Sequence, residues 1–370
     1  VIISKISFAN YRNLLDNEII PDKGINIIYG KNAQGKTNLL ECIWLFNGVR
    51  SFRGSKDSDL VAFKKDFSKL QITVFSQERE QTADINIING KREAYLNGVK
   101  LSAPSQLLGK MSSIVFSPEH LSLIKDGPAQ RRKFLDSALC QIMPRYAVIL
   151  SKYNKILNQR NALLKDIPYH RELEETLDIW DEKLAYTGAA LIFERIKYID
   201  LLKKKVREYH RGISENKEDL KIKYSCCYKI PKGSTQNDIA EFLLNKLQKN
   251  KRDDLYLKYT TIGPHRDDID IIINDMKART FASQGQQRSA VLSLKLSEAT
   301  ILDEITGEKP VILLDDVLSE LDTSRQDFLL NKIDGWQVFI TCCEKRFTKQ
   351  LTNGKTFLLN NGSVTEETKI

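Results

Sequence analysis

The stretch "GKNAQGKT", residues 30–37, follows the apolar run "INIIY" and opens into "NLLECIWLF". It fits G-x-x-x-x-G-K-[ST] in the setting that pattern requires, a short strand before it and a helix after it. Gly30 and Gly35 let the backbone curl with its N–H groups turned inward, where a Cβ would obstruct the turn or the bound group. The positive end of the helix starting near Gly35 then faces a phosphate. Lys31, Asn32, Ala33 and Gln34 form the loop and Asn38 its exit. Lys36 is placed to neutralise β- and γ-phosphate charge, and the Thr37 hydroxyl to ligate Mg²⁺. A chain organised around this turn is an α/β nucleotide-binding protein. The turn alone leaves kinases, GTPases, helicases and transporters open.

A second site narrows the choice. "VILLDD", residues 311–316, is four apolar residues ending in two aspartates, as expected where a buried parallel strand delivers carboxylates to a nucleotide. Adjacent buried carboxylates carry a large desolvation cost, which a cation would offset. Asp315 is the expected Mg²⁺ ligand, and Asp316 stands where a base would orient the attacking water. Read blandly, the same residues are an acidic turn at a strand end. "SQGQQR", residues 283–288, precedes the apolar helix "SAVLSLKLSEATIL". Ser283 can cap that helix, and Gly285 would let a phosphate approach the N–H groups at its positive end. Alone, this reads as a capped helix.

Taken with the phosphate loop, the acidic strand and "SELD" (Ser319 to Asp322), "SQGQQR" resembles the signature and D-loop of ATP-binding-cassette ATPases. In that family the signature contacts the γ-phosphate of ATP held by the opposing subunit. The resemblance therefore implies that Ser283, Gly285, Gln286 and Asp322 serve a nucleotide on a second copy. One copy of each half-site per chain makes a two-fold homodimer with two complete sites.

Further segments narrow the resemblance. "FANYRNL", "GKNAQGKTNLLE", "FSPEHLSLIKDGPAQRRKFLD", "TIGPHRDD", "FASQGQQR" and "LLDDVLSELD" are similar, in order and over nearly the full length, to motifs of the RecF family, short-armed relatives of the SMC proteins. The fold implied is an ATP-binding-cassette P-loop ATPase head with an inserted, mainly helical lobe. The resemblance further implies that Arg12 and Asn13 lie near the nucleotide. It sets Glu119 of "SPEH" at the Q-loop place as a further metal contact, and Thr341 at the switch-histidine place. Asp316 stands where the wider superfamily has glutamate, as RecF proteins generally have it. The shorter side chain and a threonine that cannot carry a proton imply slow hydrolysis, with ATP acting mainly as a dimer clamp and Lys36, Asp316 and Thr341 as the catalytic set. The implied partners are double-stranded DNA at gapped junctions, single-stranded DNA more weakly, and RecR, with RecO and RecA in the pathway.

The bulk properties agree. The chain has 370 residues with 41% hydrophobic content, enough for real cores. No apolar run reaches the roughly 18 residues of a membrane span, and "VIISKISFANYRN" lacks the layout of a secretory signal, so the expected compartment is the cytoplasm. Six cysteines, two adjacent pairs among them, show no C-x-x-C spacing and are read as reduced thiols. Strand and turn patterns dominate residues 1–127, the N-terminal part of the head. "NGK" and "NGV" signal hairpins there. Residues 128–258 carry apolar stripes at intervals of three and four, the pattern of two long antiparallel helices with Pro144 as a kink or a new start. Alternating strands and helices return over 259–370, beginning with "DIDIIIN".

A formal charge of +9 favours polyanions. Basic residues cluster at 131–133, 203–207 and 249–252, and each cluster taken singly reads first as a solvated helix face. No interleaved aromatic stacking platform is visible, so DNA contact is expected through the backbone and to weaken with salt. The alternative is the ATPase subunit of a membrane transporter. The helical lobe, the missing Q-loop glutamine, Thr341 and the basic balance weigh against it.

Overall fold

The computed structural model describes residues 1–226, 228, 230–343 and 354–369; Cys227 lies outside them. The other five cysteines are free thiols. No helix among the described residues is long and apolar enough to cross a membrane.

In chain order, β1 (Ile2–Ala9), β2 (Asn17–Ile19) and β3 (Ile25–Tyr29) lead into α1 (Lys36–Leu45). β4 (Phe67–Ser76), β5 (Arg79–Ile88), β6 (Lys91–Leu96) and β7 (Val99–Lys100) form a meander, followed by β8 (Ser113–Phe116). Both Asn-Gly turns have positive φ at both residues, 51° and 71° at Asn89-Gly90 and 49° and 78° at Asn97-Gly98. That geometry matches the twist of the flanking strands. The β4–β5 turn adopts the same hand with Gln77 and Glu78, at φ 54° and 60°, and so carries no glycine signal. The Glu308 carboxylate holds it instead, accepting from the Gln77 N–H at 2.6 Å and the Ser76 hydroxyl at 2.9 Å.

The middle of the chain holds α2 (Ser122–Lys125), α3 (Pro128–Ile142), α4 (Pro144–Asp166) and α5 (Leu177–Ile213). β9 (Leu220–Ser225), α6 (Gln236–Lys249), α7 (Lys251–Leu257), β10 (Asp268–Ile273), β11 (Met276–Lys277) and α8 (Ala278–Phe281) follow. Pro144 is a new start: it occupies the first turn of α4, where its missing N–H costs nothing. Arg160 reaches Asp181 and Arg195 reaches the Tyr146 hydroxyl, so α4 and α5 run antiparallel. The chain closes with α9 (Gln284–Thr306), β12 (Val311–Asp315), α10 (Thr323–Lys332), β13 (Val338–Cys342), β14 (Gly354–Asn360) and β15 (Ser363–Lys369).

These elements make two compact units, Val1–Leu121 with Glu208–Lys217 and Ser283–Ile370, and Ser122–Arg207 with Glu218–Ala282. The first contains two six-stranded sheets. One is antiparallel, ordered β2-β1-β4-β5-β6-β7; the other is ordered β15-β14-β3-β13-β12-β8 and is parallel except for β15. β12 and β13 are buried at every residue, as parallel strands covered on both faces must be. One apolar core joins Ile6, Leu70 and Ile85 of the antiparallel sheet to Leu40 and Ile43 of α1 and Leu313 and Phe339 of the parallel one. The second unit is mainly helical with a three-stranded sheet, β11-β10-β9. Here an expectation changes: "DIDIIIN", assigned to the C-terminal part of the head, pairs with β9, from Asp268↔Ser225 to Ile273↔Leu220. The inserted unit thus runs to Ala282 and not to residue 258. A half-buried strand reads the same whichever sheet it joins, so alternation could not assign it.

Candidate functional site

β3 sits between β13 and β14 in the parallel sheet, and the turn from Gly30 to Gly35 leaves its C-terminal end. Gly35 has φ 112°, and a Cβ there would lie 2.7 Å from both Asn13 Oδ1 and Leu14 Cδ2. Only glycine combines that conformation with that approach. At Gly30 a Cβ would meet the Leu359 carbonyl oxygen at 2.2 Å. Gln34 accepts from the Asn361 N–H, so the C-terminal hairpin braces the turn from outside.

The turn encloses a polar, half-open pocket of about 210 Å³ lined by Asn13, Asn32, Ala33, Gly35, Lys36, Thr37, Asn38, Arg53 and Asp316. Lys36 folds back over it, with Nζ donating to the Gly30 carbonyl at 2.7 Å and the Lys31 carbonyl at 3.2 Å. Asn13 Nδ2 donates to the Ala33 carbonyl (3.2 Å), Asn38 Nδ2 to Asn13 Oδ1 (2.7 Å), and Arg53 to Asn38 Oδ1 (3.0 Å). This chain fixes one wall and brings a guanidinium to the phosphate-handling groups.

On the opposite wall the Thr37 hydroxyl donates to Asp315 Oδ1 at 2.8 Å. Burial pushes the Asp315 carboxyl above the ordinary aspartate range, the hydroxyls of Thr37 and Thr341 pull it back, and Asp316 adds to the rise. Asp316 has φ 53°, and its Oδ1 is buried without a hydrogen-bond partner among the described residues. A hydroxyl, a desolvated carboxylate and an orphaned carboxylate oxygen suit a small hard cation that takes most of its other ligands from phosphate and water. Mg²⁺ therefore fits Thr37 and Asp315. No cluster of three or more His, Cys, Asp or Glu side chains among the described residues could hold a metal without such help.

Other expected residues fall elsewhere. Arg12 does not line the pocket: it forks onto the buried Glu41 at 3.0 Å from both Nε and Nη2, and also donates to the Asp59 carbonyl and Ser55. The Tyr11 and Ser51 hydroxyls donate to the same carboxylate. Arg12 thus satisfies a core carboxylate beside the loop. Thr341 is fully buried, and its Oγ1 donates to Asp315 Oδ1 at 3.0 Å and accepts from the Asp316 N–H at 2.9 Å. It positions the acidic pair. Glu119 is exposed, 4.0 Å from Arg53 Nε and outside the pocket lining. Ser283 caps α9 by accepting from Gln286 N–H, while Gln286 accepts from Ser283 N–H. Asp322 caps α10 and pairs with Arg325, whose guanidinium lies 3.8 Å from a Cβ built on Gly285. Signature and D-loop are therefore neighbours, and neither lines the phosphate pocket.

Sequence reading missed Arg53 and Cys343. The exposed thiol of Cys343 donates to Asn32 Oδ1 at 2.9 Å and lies 3.6 Å from Lys36 Nζ. Of the basic clusters, Arg131 forks onto Asp268 and Arg207 onto Asp219, so both are structural ties. Lys251 pairs with Glu174.

Fold and pocket together define an SMC-like P-loop ATPase head fold. Solved Smc heads superpose over the whole chain with a TM-score of 0.56 at 14% identity, which supports the fold alone. The sequence matches the RecF/RecN/SMC N terminal domain over residues 2–365. It is 42% identical to DNA replication and repair protein RecF of Clostridium botulinum (strain Okra / Type B1), covering 98% of this chain and 99% of that one. The corresponding protein of Acetivibrio thermocellus is 40% identical, with 93% of each chain covered. A solved structure described as the recombination mediator protein RecF with ATP in the RecFOR pathway superposes with a TM-score of 0.93 at 41% identity, covering 99% of this chain and 98% of that one. The chain belongs to the RecF family.

Proposed function

We propose that this protein is an ATP-switched DNA-binding dimer of recombinational gap repair. ATP, with Mg²⁺ at Thr37 and Asp315, joins two copies face to face across duplex DNA beside a single-stranded gap, and helps RecR and RecO load RecA. The observation that carries this reading is the separation within one head: the pocket holds Lys36, Thr37, Arg53 and Asp316, while Ser283, Gly285 and Asp322 lie outside its lining. A second copy related by two-fold symmetry can bring the missing half.

When bound, the cation supplies positive charge to the phosphate oxygens. Lys36 neutralises the β- and γ-phosphates, and Asn13, Asn38 and Arg53 hold the facing wall. Asp316, pinned by the Thr341 hydroxyl at its N–H, orients water for hydrolysis. Its carboxylate is short and no histidine stands behind it, so turnover is slow and resets the clamp; a rate without DNA near about 10 s⁻¹ would contradict this.

The test is light scattering on the Asp316→Asn variant with and without ATP, followed by titration with gapped DNA. A mass that doubles with ATP, and DNA binding that appears with it, are expected. Single chains at saturating ATP and DNA would overturn the proposal.

A further inference from the structure

Three tyrosines of the second unit stand out of its surface. Tyr169, on the turn after α4, is 77% exposed; Tyr256, near the end of α7, is 85% exposed; Tyr259, just beyond α7, is 40% exposed. Single exposed aromatics need no explanation, but here two of the three rings have a cation over them. Lys258 Nζ lies 5.8 Å from the Tyr169 centroid and the Arg266 guanidinium 4.8 Å from that of Tyr259. Arg266 Nη2 also donates to the Thr260 carbonyl at 3.3 Å, while Glu172 and Glu174, in the segment after Tyr169, pair elsewhere, with His170 and Lys251.

The support beneath them is rigid. Lys258 ends α7 in the left-handed conformation at φ 60°. The next residues are tied down at once: Thr260 N–H and hydroxyl donate to Asn161 Oδ1 at 2.8 and 2.7 Å, and Thr261 N–H and hydroxyl to Asp254 Oδ1 at 2.9 and 2.6 Å. Asp254 is itself held by the fully buried Arg160. Leu255 packs against Leu164, Ile167 and Leu177. Exposed rings beside positive charge match a ligand with flat π-faces and a negative backbone.

We infer that Tyr169, Tyr256 and Tyr259, with Lys258 and Arg266, form a stacking platform for the unpaired bases of single-stranded nucleic acid. Bases stack on the rings without regard to sequence, and the two cations meet the phosphates. An acidic protein segment would use the cations but gain little from three ring faces. The inference rests on the DNA-binding reading above and supplies what that reading lacks, a reason to prefer a gap over uninterrupted duplex.

The experiment measures anisotropy of labelled blunt duplex, gapped duplex and oligo-dT with the full-length chain and ATP. A triple Tyr→Ala variant at 169, 256 and 259 is compared with the matching triple Tyr→Phe variant, and ATP-dependent dimerisation and the thermal midpoint serve as folding controls. Expected is at least a tenfold loss on oligo-dT and gapped duplex for the alanine variant, less than twofold on blunt duplex, and recovery in the phenylalanine variant. Equal losses on all three probes, or no loss on any, would overturn the platform; the second result would point to a protein partner at this surface. Wild-type binding to oligo-dT alone, lost in the alanine variant, would keep the platform and remove the duplex clamp. Duplex binding unaffected by either variant, with no preference for the gap, would do the reverse.

Discussion

Thr341 lies directly behind the acidic pair, and its one hydroxyl has two duties. It donates to the Asp315 carboxylate and accepts from the Asp316 N–H, in a left-handed backbone that aspartate tolerates only when its surroundings fix it. Thr341→Val keeps the shape and removes both contacts. The unpaired Asp316 N–H and the lost donor together predict a destabilisation of about 1–3 kcal/mol in urea titration. ATP binding should persist while hydrolysis falls, and Thr341→Ser should restore both. A hydrolysis rate unchanged in the valine variant would deny Thr341 any part in the site. The same scale explains what the sequence could and could not tell. Gly35, Lys36, Thr37 and Asp315 are legible because each duty is set by spacing within one short segment. Arg53 and Cys343 are not, since they reach the pocket only through the tertiary fold. Arg12 is adjacent to the right loop, but its partner Glu41 looks like an ordinary helix residue.

Among elements, the loop before β10 has the most unusual charge economy. In "TIGPHRDD", His265 exchanges a 2.6 Å hydrogen bond with Tyr153, and burial holds its pKa down to about 4. Two residues on, Asp267 accepts from Tyr224, and burial pushes its pKa up to about 6. These shifts oppose each other. A histidine that resists charging in the fold contributes stability that is present above its unfolded pKa near 6.5 and lost as pH falls through about 4. An aspartic acid that resists ionising contributes stability that is present below 3.8 and lost as pH rises through about 6. At 1.36 kcal/mol per pH unit each carries on the order of 3 kcal/mol, and between pH 4 and 6 the two slopes nearly cancel. Asp267→Asn should therefore expose the histidine slope, with urea midpoints rising from pH 4.5 to 6.5. His265→Gln should expose the opposite slope. Flat profiles in both variants would show that neither group titrates differently on folding. The element itself was legible as a motif but not as part of the inserted unit, because its strand finds its partner, β9, far back along the chain, from Asp268↔Ser225 to Ile273↔Leu220.

At the scale of the whole molecule, two variants separate the halves of the proposed site. Lys36→Met removes charge from the phosphate pocket, and both ATP binding and ATP-driven dimerisation should vanish. Ser283→Arg lies outside that pocket, so ATP affinity should change less than threefold while dimerisation is lost. Calorimetry with ATP and light scattering read the two quantities separately, and loss of both in Ser283→Arg would contradict a shared site. The overall architecture was legible because runs such as "INIIY" and "VILLD" are too apolar for anything but covered parallel strands.

One consequence follows from the order of the parallel sheet. β3, which carries the phosphate turn, lies between β13 and β14 in the sheet, and both are translated more than 300 residues after it. Gly362 also presses against the Asn13 carbonyl, and its own carbonyl accepts from the Leu15 N–H. A nascent chain still on the ribosome thus lacks both flanks of its own cradle. A chain stopped before β13 would lack the two strands that hold the phosphate turn in place.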